Sequence, residues 1–185
     1  MSLVELIAQA DDRGLAASGL ACLDRCAPLL GGDDELLRPL WASLAEGADP
    51  AAWGGLLEQA RGSLDTPAAD ADEAEVLARR MLDAAPDVRS APDVRVWADA
   101  CSVASLQIHR LLDPAEDDAD SVDSRRAGRT EGMSPLVAAE LRRQVTVLEL
   151  LAGHGPAGLR GALDVSTEGR RVLRAVVSRR TRQQG

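Results

Sequence analysis

Apolar residues recur at three- and four-residue spacing along the N-terminal part of the chain, which predicts a series of amphipathic helices. Ser2 precedes the first apolar residues, and Glu5 follows three positions later, which is the spacing of a capping box. We therefore predict a first helix that starts after Ser2 and stops near Gly14. A second helix is predicted for residues 15–30.

Turn-forming residues then divide the next stretch into two more helices. An aspartate at 33 or 34 predicts the cap of a helix over 33–46, with Pro39 near its first turn or at a kink. The dipeptide at 49–50, aspartate followed by proline, indicates a cap and a first helical position. Gly62 is expected to close that fourth helix.

The most regular hydrophobic period lies between residues 92 and 113, after a shorter predicted helix over 73–85. Six residues recur there at spacings of 3, 4, 3, 4 and 3, which is typical of a narrow seam that packs along another helix. We expect this helix to lie at the centre of the fold. The residues of the central seam are Val94, Trp97, Cys101, Ala104, Ile108 and Leu111.

The C-terminal part of the chain also has helical periodicity. Residues 134–153 begin with a serine and a proline and predict one long helix that ends at a glycine. A short turn or helix over 156–163 and a last helix from about Ser166 follow. Because no segment alternates apolar and polar residues in the manner of a strand, we predict an all-α helical bundle of about seven or eight helices without a β-sheet.

Residues 114–132 separate two parts of opposite charge. This stretch has no hydrophobic period, changes from acidic to basic along its length, and is predicted to be a disordered loop or linker. Residues 1–123 contain 25 acidic residues and 9 arginines, whereas residues 124–185 contain 5 acidic residues and 12 arginines. We expect an acidic helical body at 1–113 and a basic helical segment at 133–185 that docks on it, because so short a segment would struggle to bury a core alone.

Composition narrows the possible chemistry. All 21 basic residues are arginine, and the chain has no lysine, tyrosine, phenylalanine or asparagine, a composition that suits a high-G+C bacterial genome. A Schiff-base lysine, a P-loop lysine and a tyrosine acid are therefore excluded. The acidic start, the absence of a long apolar stretch and the odd number of cysteines predict a cytoplasmic protein with reduced thiols and no membrane span.

Three cysteines and a histidine are the candidate metal ligands. Cys22 and Cys26 share one helical face, and Cys101 and His109 lie on the predicted central helix. The last two are too far apart along that helix to join one closed zinc site easily. We interpret the cysteines as buried core residues, and expect no metal, no cofactor and no catalytic residues.

The arginines of the last helix are the strongest candidates for contacts with a partner. The stretch 163–176 resembles the second half of a helix-turn-helix, but Arg170 occupies a position where that motif has an apolar anchor. Contacts with phosphate groups or with an acidic partner are predicted for Arg170, Arg171, Arg174, Arg179 and Arg180.

These observations favour a non-catalytic cytosolic α-helical protein-interaction or regulatory module. Its partner would be another protein or a second copy of the chain. A DNA-associated regulator that uses the arginine-rich C-terminal helix is the first alternative, although the net charge of −9 acts against nucleic-acid binding. A helical protein that binds a small ligand or a metal is the second.

Overall fold

The computed structural model describes residues 1–119 and 121–185, and the described residues form helices and connecting turns without a strand. The predicted all-α bundle without a β-sheet is confirmed. Short 3-10 turns at Ala27–Leu29 and Gly155–Gly158 accompany the α-helices. The α-helices are α1 Leu3–Gln9, α2 Asp12–Arg25, α3 Arg38–Ser43, α4 Ala52–Gly62, α5 Glu73–Asp83, α6 Ala91–Leu112, α7 Val122–Arg126, α8 Pro135–His154 and α9 Leu159–Gln184.

Local capping sets the first helix boundaries. The Ser2 backbone N–H donates to the Glu5 carboxylate at 2.6 Å and the Glu5 backbone N–H donates to the Ser2 hydroxyl at 3.3 Å, which confirms the capping box. Asp11 accepts a hydrogen bond from the Gly14 N–H at 2.7 Å and caps α2. The prediction that the first helix continues to Gly14 is therefore wrong, because this cap starts a new helix.

Three other predicted helix starts are displaced. The helix expected over 33–46 is the shorter α3, with Pro39 in its first turn. The dipeptide at 49–50 lies in a turn, and α4 begins at Ala52. The last helix begins at Leu159, seven residues before the predicted start at Ser166, because the chain after the 3-10 turn continues directly into α9.

The core forms where α2 packs against α6, α8 and α9, and where α6 also packs against α8. Of the central seam, Val94, Trp97, Cys101 and Ile108 are buried, and the other two members are partly buried. Gly19 permits this close packing, since a Cβ atom there would lie 2.6 Å from the Trp97 ring. The centre of the fold is shared with α2, because every residue from Gly14 to Arg25 is buried.

The segment over 114–132 differs from the disorder predicted for it, although residue 120 lies outside the described residues. It includes α7, and the Arg125 guanidinium, which is buried, donates to the Asp117 carboxylate at 2.9 and 3.1 Å. Asp117 also accepts from the Ser134 N–H at 3.0 Å, next to the first turn of α8. Hydrogen bonds donated to one buried carboxylate thus connect the first part of this segment to α7 and to the start of α8.

Helices α8 and α9 form an antiparallel pair that covers α2. Gly158 and Gly161 lie against Leu150, and Gly169 lies against both Arg143 of α8 and Arg25 of α2. Residues from 1–113 and from 133–185 therefore contribute to one core. Within the described part of the chain, none of the helices combines the length and apolar character that crossing a membrane requires.

Candidate functional site

Arg170 faces inward from α9 and pairs with a buried carboxylate. Its guanidinium donates to Asp24 of α2, which is 1% exposed and also accepts from the Trp41 indole N–H at 2.8 Å. Burial raises the pKa of Asp24, while the charge of Arg170 and the Trp41 hydrogen bond oppose that rise. Arg170 therefore compensates a buried charge at the contact between α2 and α9.

Arg174 and Arg180 continue the same contact along α9. Arg174 donates with both terminal nitrogens to Asp34, at 2.9 Å for the bond to Oδ2. This hydrogen bonding holds the pKa of Asp34 below its usual value. Arg180 lies 3.7 Å from the Asp72 carboxylate. Three of the five arginines predicted from the sequence as partner contacts thus form ion pairs with aspartates of the predicted acidic body.

The other two predicted arginines face outward. Arg171 and Arg179 are exposed, as is Arg182 in the last turn of α9. Among the residues that the structure describes, no carboxylate lies within ion-pair distance of these three guanidinium groups. Val172, which is 36% exposed, and the exposed Ala175 lie between them on the helix surface. We call the surface formed by residues 171, 172, 175, 179 and 182 the outer face of α9.

The outer face extends beyond the helix that pairs with α9. Two close approaches show how the antiparallel helices are aligned. Gly161 of α9 lies beside Leu150 of α8, and Gly169 lies beside Arg143, since a Cβ atom at these glycines would be 3.2 and 3.0 Å from those side chains. Continuing this alignment brings Pro135, the first residue of α8, level with Val177. Residues 178–184 therefore project past the start of α8, and their side chains are largely exposed.

The path of α9 does not reproduce a helix-turn-helix. The helix is continuous through Val165 and Ser166, where that motif would require a turn. Ser166 is buried and its hydroxyl donates to the Ala162 carbonyl at 2.8 Å, as expected inside a helix. The outer face is consequently one side of a single long helix.

A second polar arrangement lies inside the core. Arg25 and Glu140 are both 0% exposed and form a two-bond ion pair, with N–O distances of 2.8 Å for each bond. Ser105 donates to the same carboxylate at 2.7 Å, and Gln144 donates at 2.9 Å. Burial is the largest single effect and raises the pKa of Glu140, but the charge of Arg25 and the hydrogen bonds from Arg25 and Gln144 act with the other nearby groups to hold that pKa well below its usual range.

His109 lies beside this pair and is also buried. Its Nδ1 is 2.7 Å from the Ser105 carbonyl, and its Nε2 is 3.6 Å from Glu140. Burial lowers the pKa of His109, and the attraction of Glu140 opposes this change only in part. The imidazole is therefore neutral near pH 7 and donates its Nδ1 proton to the carbonyl.

The network extends from this pair towards the surface at α7. Ser102 donates to the Gln144 side chain at 2.6 Å and accepts from the Arg126 guanidinium at 3.1 Å. Arg126 also pairs with Asp99, which is half-exposed. The polar groups of α2, α6, α7 and α8 are thus connected through hydrogen bonds, which is how a folded protein compensates polar groups that are buried together.

The three cysteines do not form a metal site in the described residues. All three are buried, and burial raises the pKa of Cys22 to about 12. Burial also raises the pKa of Cys26 and of Cys101. Because the thiol is neither accessible nor ionised at neutral pH, these cysteines act as small core side chains.

The contact between Arg25 and Glu140 was not predicted from the sequence. They are 115 positions apart, so helical spacing carries no information about their contact. One signal was available: Arg25 continues a stretch of small and apolar residues that has no exposed face of its own. A charge in such a position indicates a buried partner.

No protein-family model, curated protein or solved structure matches this chain.

Proposed function

We propose that this protein is a non-catalytic cytosolic interaction or regulatory module that binds an acidic surface of a partner protein through the outer face of α9. The observation that carries the proposal is the division of the arginines on this helix. Arg170, Arg174 and Arg180 pair with aspartates of the same chain, whereas the three arginines of the outer face are exposed without such a partner in the described residues.

The composition of the outer face favours a protein partner over DNA. Val172 and Ala175 lie among Arg171, Arg179 and Arg182, so the face combines apolar and cationic groups as protein interfaces do. Proteins whose DNA binding depends strongly on salt contact about six to ten phosphates. The three arginines of the outer face are too few for that number of contacts. The partner would pair carboxylates with the arginines and place small apolar side chains against the centre of the face.

The proposal can be tested with a fluorescent 20-residue polyglutamate peptide as a model acidic partner. We expect salt-sensitive binding to the wild-type protein, weakened roughly tenfold or more by the combined change of Arg171, Arg179 and Arg182 to Ala, because each lost contact is worth up to about 1 kcal/mol. The matched control changes Arg80, Arg129 and Arg142 to Ala. These three are also exposed but lie elsewhere, and their removal changes the net charge equally.

Equal loss of peptide binding in both triple variants would show that net charge, and not the outer face, determines binding. A DNA duplex bound more tightly than the peptide at the same salt concentration would favour the DNA-associated alternative. Light scattering of the protein without peptide measures whether the chain associates with itself. Salt-sensitive self-association that the outer-face variant abolishes would identify the acidic partner as a second copy of the chain.

A further inference from the structure

A cavity of about 500 Å³ lies away from the outer face of α9, where three segments meet. The turn after α2 supplies its floor through residues 28–31, the segment 65–71 supplies one wall, and α5 supplies the other through Glu75, Val76 and Arg79. This volume is within the range of about 300 to 1,000 Å³ that small-molecule sites occupy. It corresponds to a ligand larger than a metal ion or a single water molecule.

Apolar side chains from the floor and from both walls line the cavity. Leu30 is buried, Leu29 and Val76 are partly buried, and Pro28 and Pro67 contribute further apolar surface. A ligand that covers these side chains would gain about 25 cal/mol for each Å² of apolar surface removed from water. The body of the ligand is therefore expected to be apolar.

The charged residues of the lining determine the polar end of the ligand. Asp65 and Glu75 both line the cavity, and within the described residues neither side-chain carboxylate forms an ion pair or hydrogen bond. The guanidinium of Arg79 is already engaged, since it donates to the Asp65 backbone carbonyl at 2.8 Å and holds the 65–71 wall against α5. The carboxylates available to a ligand thus outnumber the cation, which favours a positively charged group.

We propose that this cavity binds a small organic amine with an apolar body. The ammonium group pairs with the Glu75 carboxylate, and the body lies on Leu29, Leu30 and Val76. The proposal does not depend on the function assigned to the outer face of α9. A ligand in this position would bridge the turn after α2, the 65–71 wall and α5, and would stabilise their contact in the folded protein.

The first test compares three probes by their effect on the backbone amide NMR signals of residues 29–31 and 75–79. Phenethylamine carries both the charge and the apolar body, 3-phenylpropanoate has the opposite charge on a similar body, and ethylamine lacks the body. We expect phenethylamine to bind about tenfold or more tightly than either of the others, because it alone satisfies both parts of the cavity. Equal or tighter binding of 3-phenylpropanoate, or no binding of phenethylamine, would overturn the proposal.

Two variants locate the bound amine. Glu75→Gln should weaken phenethylamine binding about five- to tenfold by removing the charge, whereas Glu73→Gln, at an exposed position on the same helix, should leave it unchanged. Ala71→Trp places a large side chain at the lining and should abolish binding, with a thermal unfolding curve to verify that the variant folds. Binding that survives both Glu75→Gln and Ala71→Trp would contradict the assignment. The outer-face triple variant should bind phenethylamine normally, which separates this proposal from the first.

Discussion

The buried charges of this protein are stabilised by specific partners. Arg25 and Glu140 form two hydrogen bonds with each other, and Ser105 and Gln144 supply further donors to the carboxylate. Removal of one member of such a pair leaves the other charge buried without compensation, which typically costs about 3 to 5 kcal/mol. His109 is different because burial holds it neutral beside a carboxylate, and its titration is therefore linked to folding.

We expect this linkage to lower the stability of the wild-type protein in mild acid. The folded state disfavours protonation of His109, whereas the unfolded chain binds that proton below about pH 6.5. Between about pH 7.5 and about pH 5.5 the free energy of unfolding should therefore decrease by about 1 kcal/mol more in the wild type than in His109→Gln. Urea unfolding across this range measures the difference.

His154→Gln is the matched control for this experiment, because His154 is exposed at the end of α8. This variant should retain the wild-type dependence of stability on pH. Parallel curves for the wild type and His109→Gln would show that His109 gains its proton equally in the folded and unfolded states.

At the scale of elements, small residues set the distance between the core helices. Gly19 lies against Trp97 where α2 meets α6, and Gly169 lies against Arg25 where α2 meets α9. A Cβ atom on Gly169 would be 2.5 Å from Cδ of Arg25. Since Arg25 is held by Glu140, it has little freedom to move away. Gly169 therefore permits the approach of α9 that brings Arg170 to Asp24.

Gly169→Ala should accordingly destabilise the protein by about 1 to 3 kcal/mol, the usual cost of overpacking a core. Gly55→Ala is the matched control, because Gly55 is also inside a helix but has open space around its Cβ position. That change should stabilise the protein by about 0.5 to 1 kcal/mol through the better helix propensity of alanine. Thermal or urea unfolding of both variants would show whether each change raises or lowers the free energy of unfolding. A Gly169→Ala protein as stable as Gly55→Ala would contradict the close packing of α9 on Arg25.

At the scale of the whole molecule, the C-terminal helices contribute to the core of the N-terminal part. Val137, Leu148, Ala162 and Leu173 are buried together with residues of α2 and α6. Ion pairs of α9 with Asp24, Asp34 and Asp72 surround this apolar contact. The contact is predominantly apolar, so it should persist at physiological salt, where exposed ion pairs are screened.

A protease site installed between Ala127 and Arg129 tests this expectation. Both positions flank an exposed glycine after α7, so cleavage there removes no buried side chain. We expect the two pieces to elute together in gel filtration with light scattering at physiological salt, and to separate only in denaturant. Separation under native conditions would show that residues 133–185 form a tethered module, and would make nucleic-acid binding by that module the next property to measure.

The amino-acid pattern alone predicts the all-α class, the capping box at Ser2, the boundaries of α6 and α8 within a residue or two, and the seam that contains Trp97. These features depend on caps and periods that involve residues no more than four positions apart. It also identified the arginines of α9 as a group, because their charge is visible without a fold. It could not show which of them face a carboxylate of the same chain.

Contacts between side chains that are far apart in the sequence depend on how the helices pack. Arg25 contacts Glu140, which is 115 positions away in the sequence, and Arg170 contacts Asp24, which is 146 positions away. The periodicity of residues along a helix contains no information about contacts between positions so far apart. The order of the 114–119 and 121–132 segments has the same origin, since Asp117 gains its partners only when α7 and the start of α8 are brought together. Packing of the helices selects these contacts, because a buried charge is tolerated where an opposite charge is already in place.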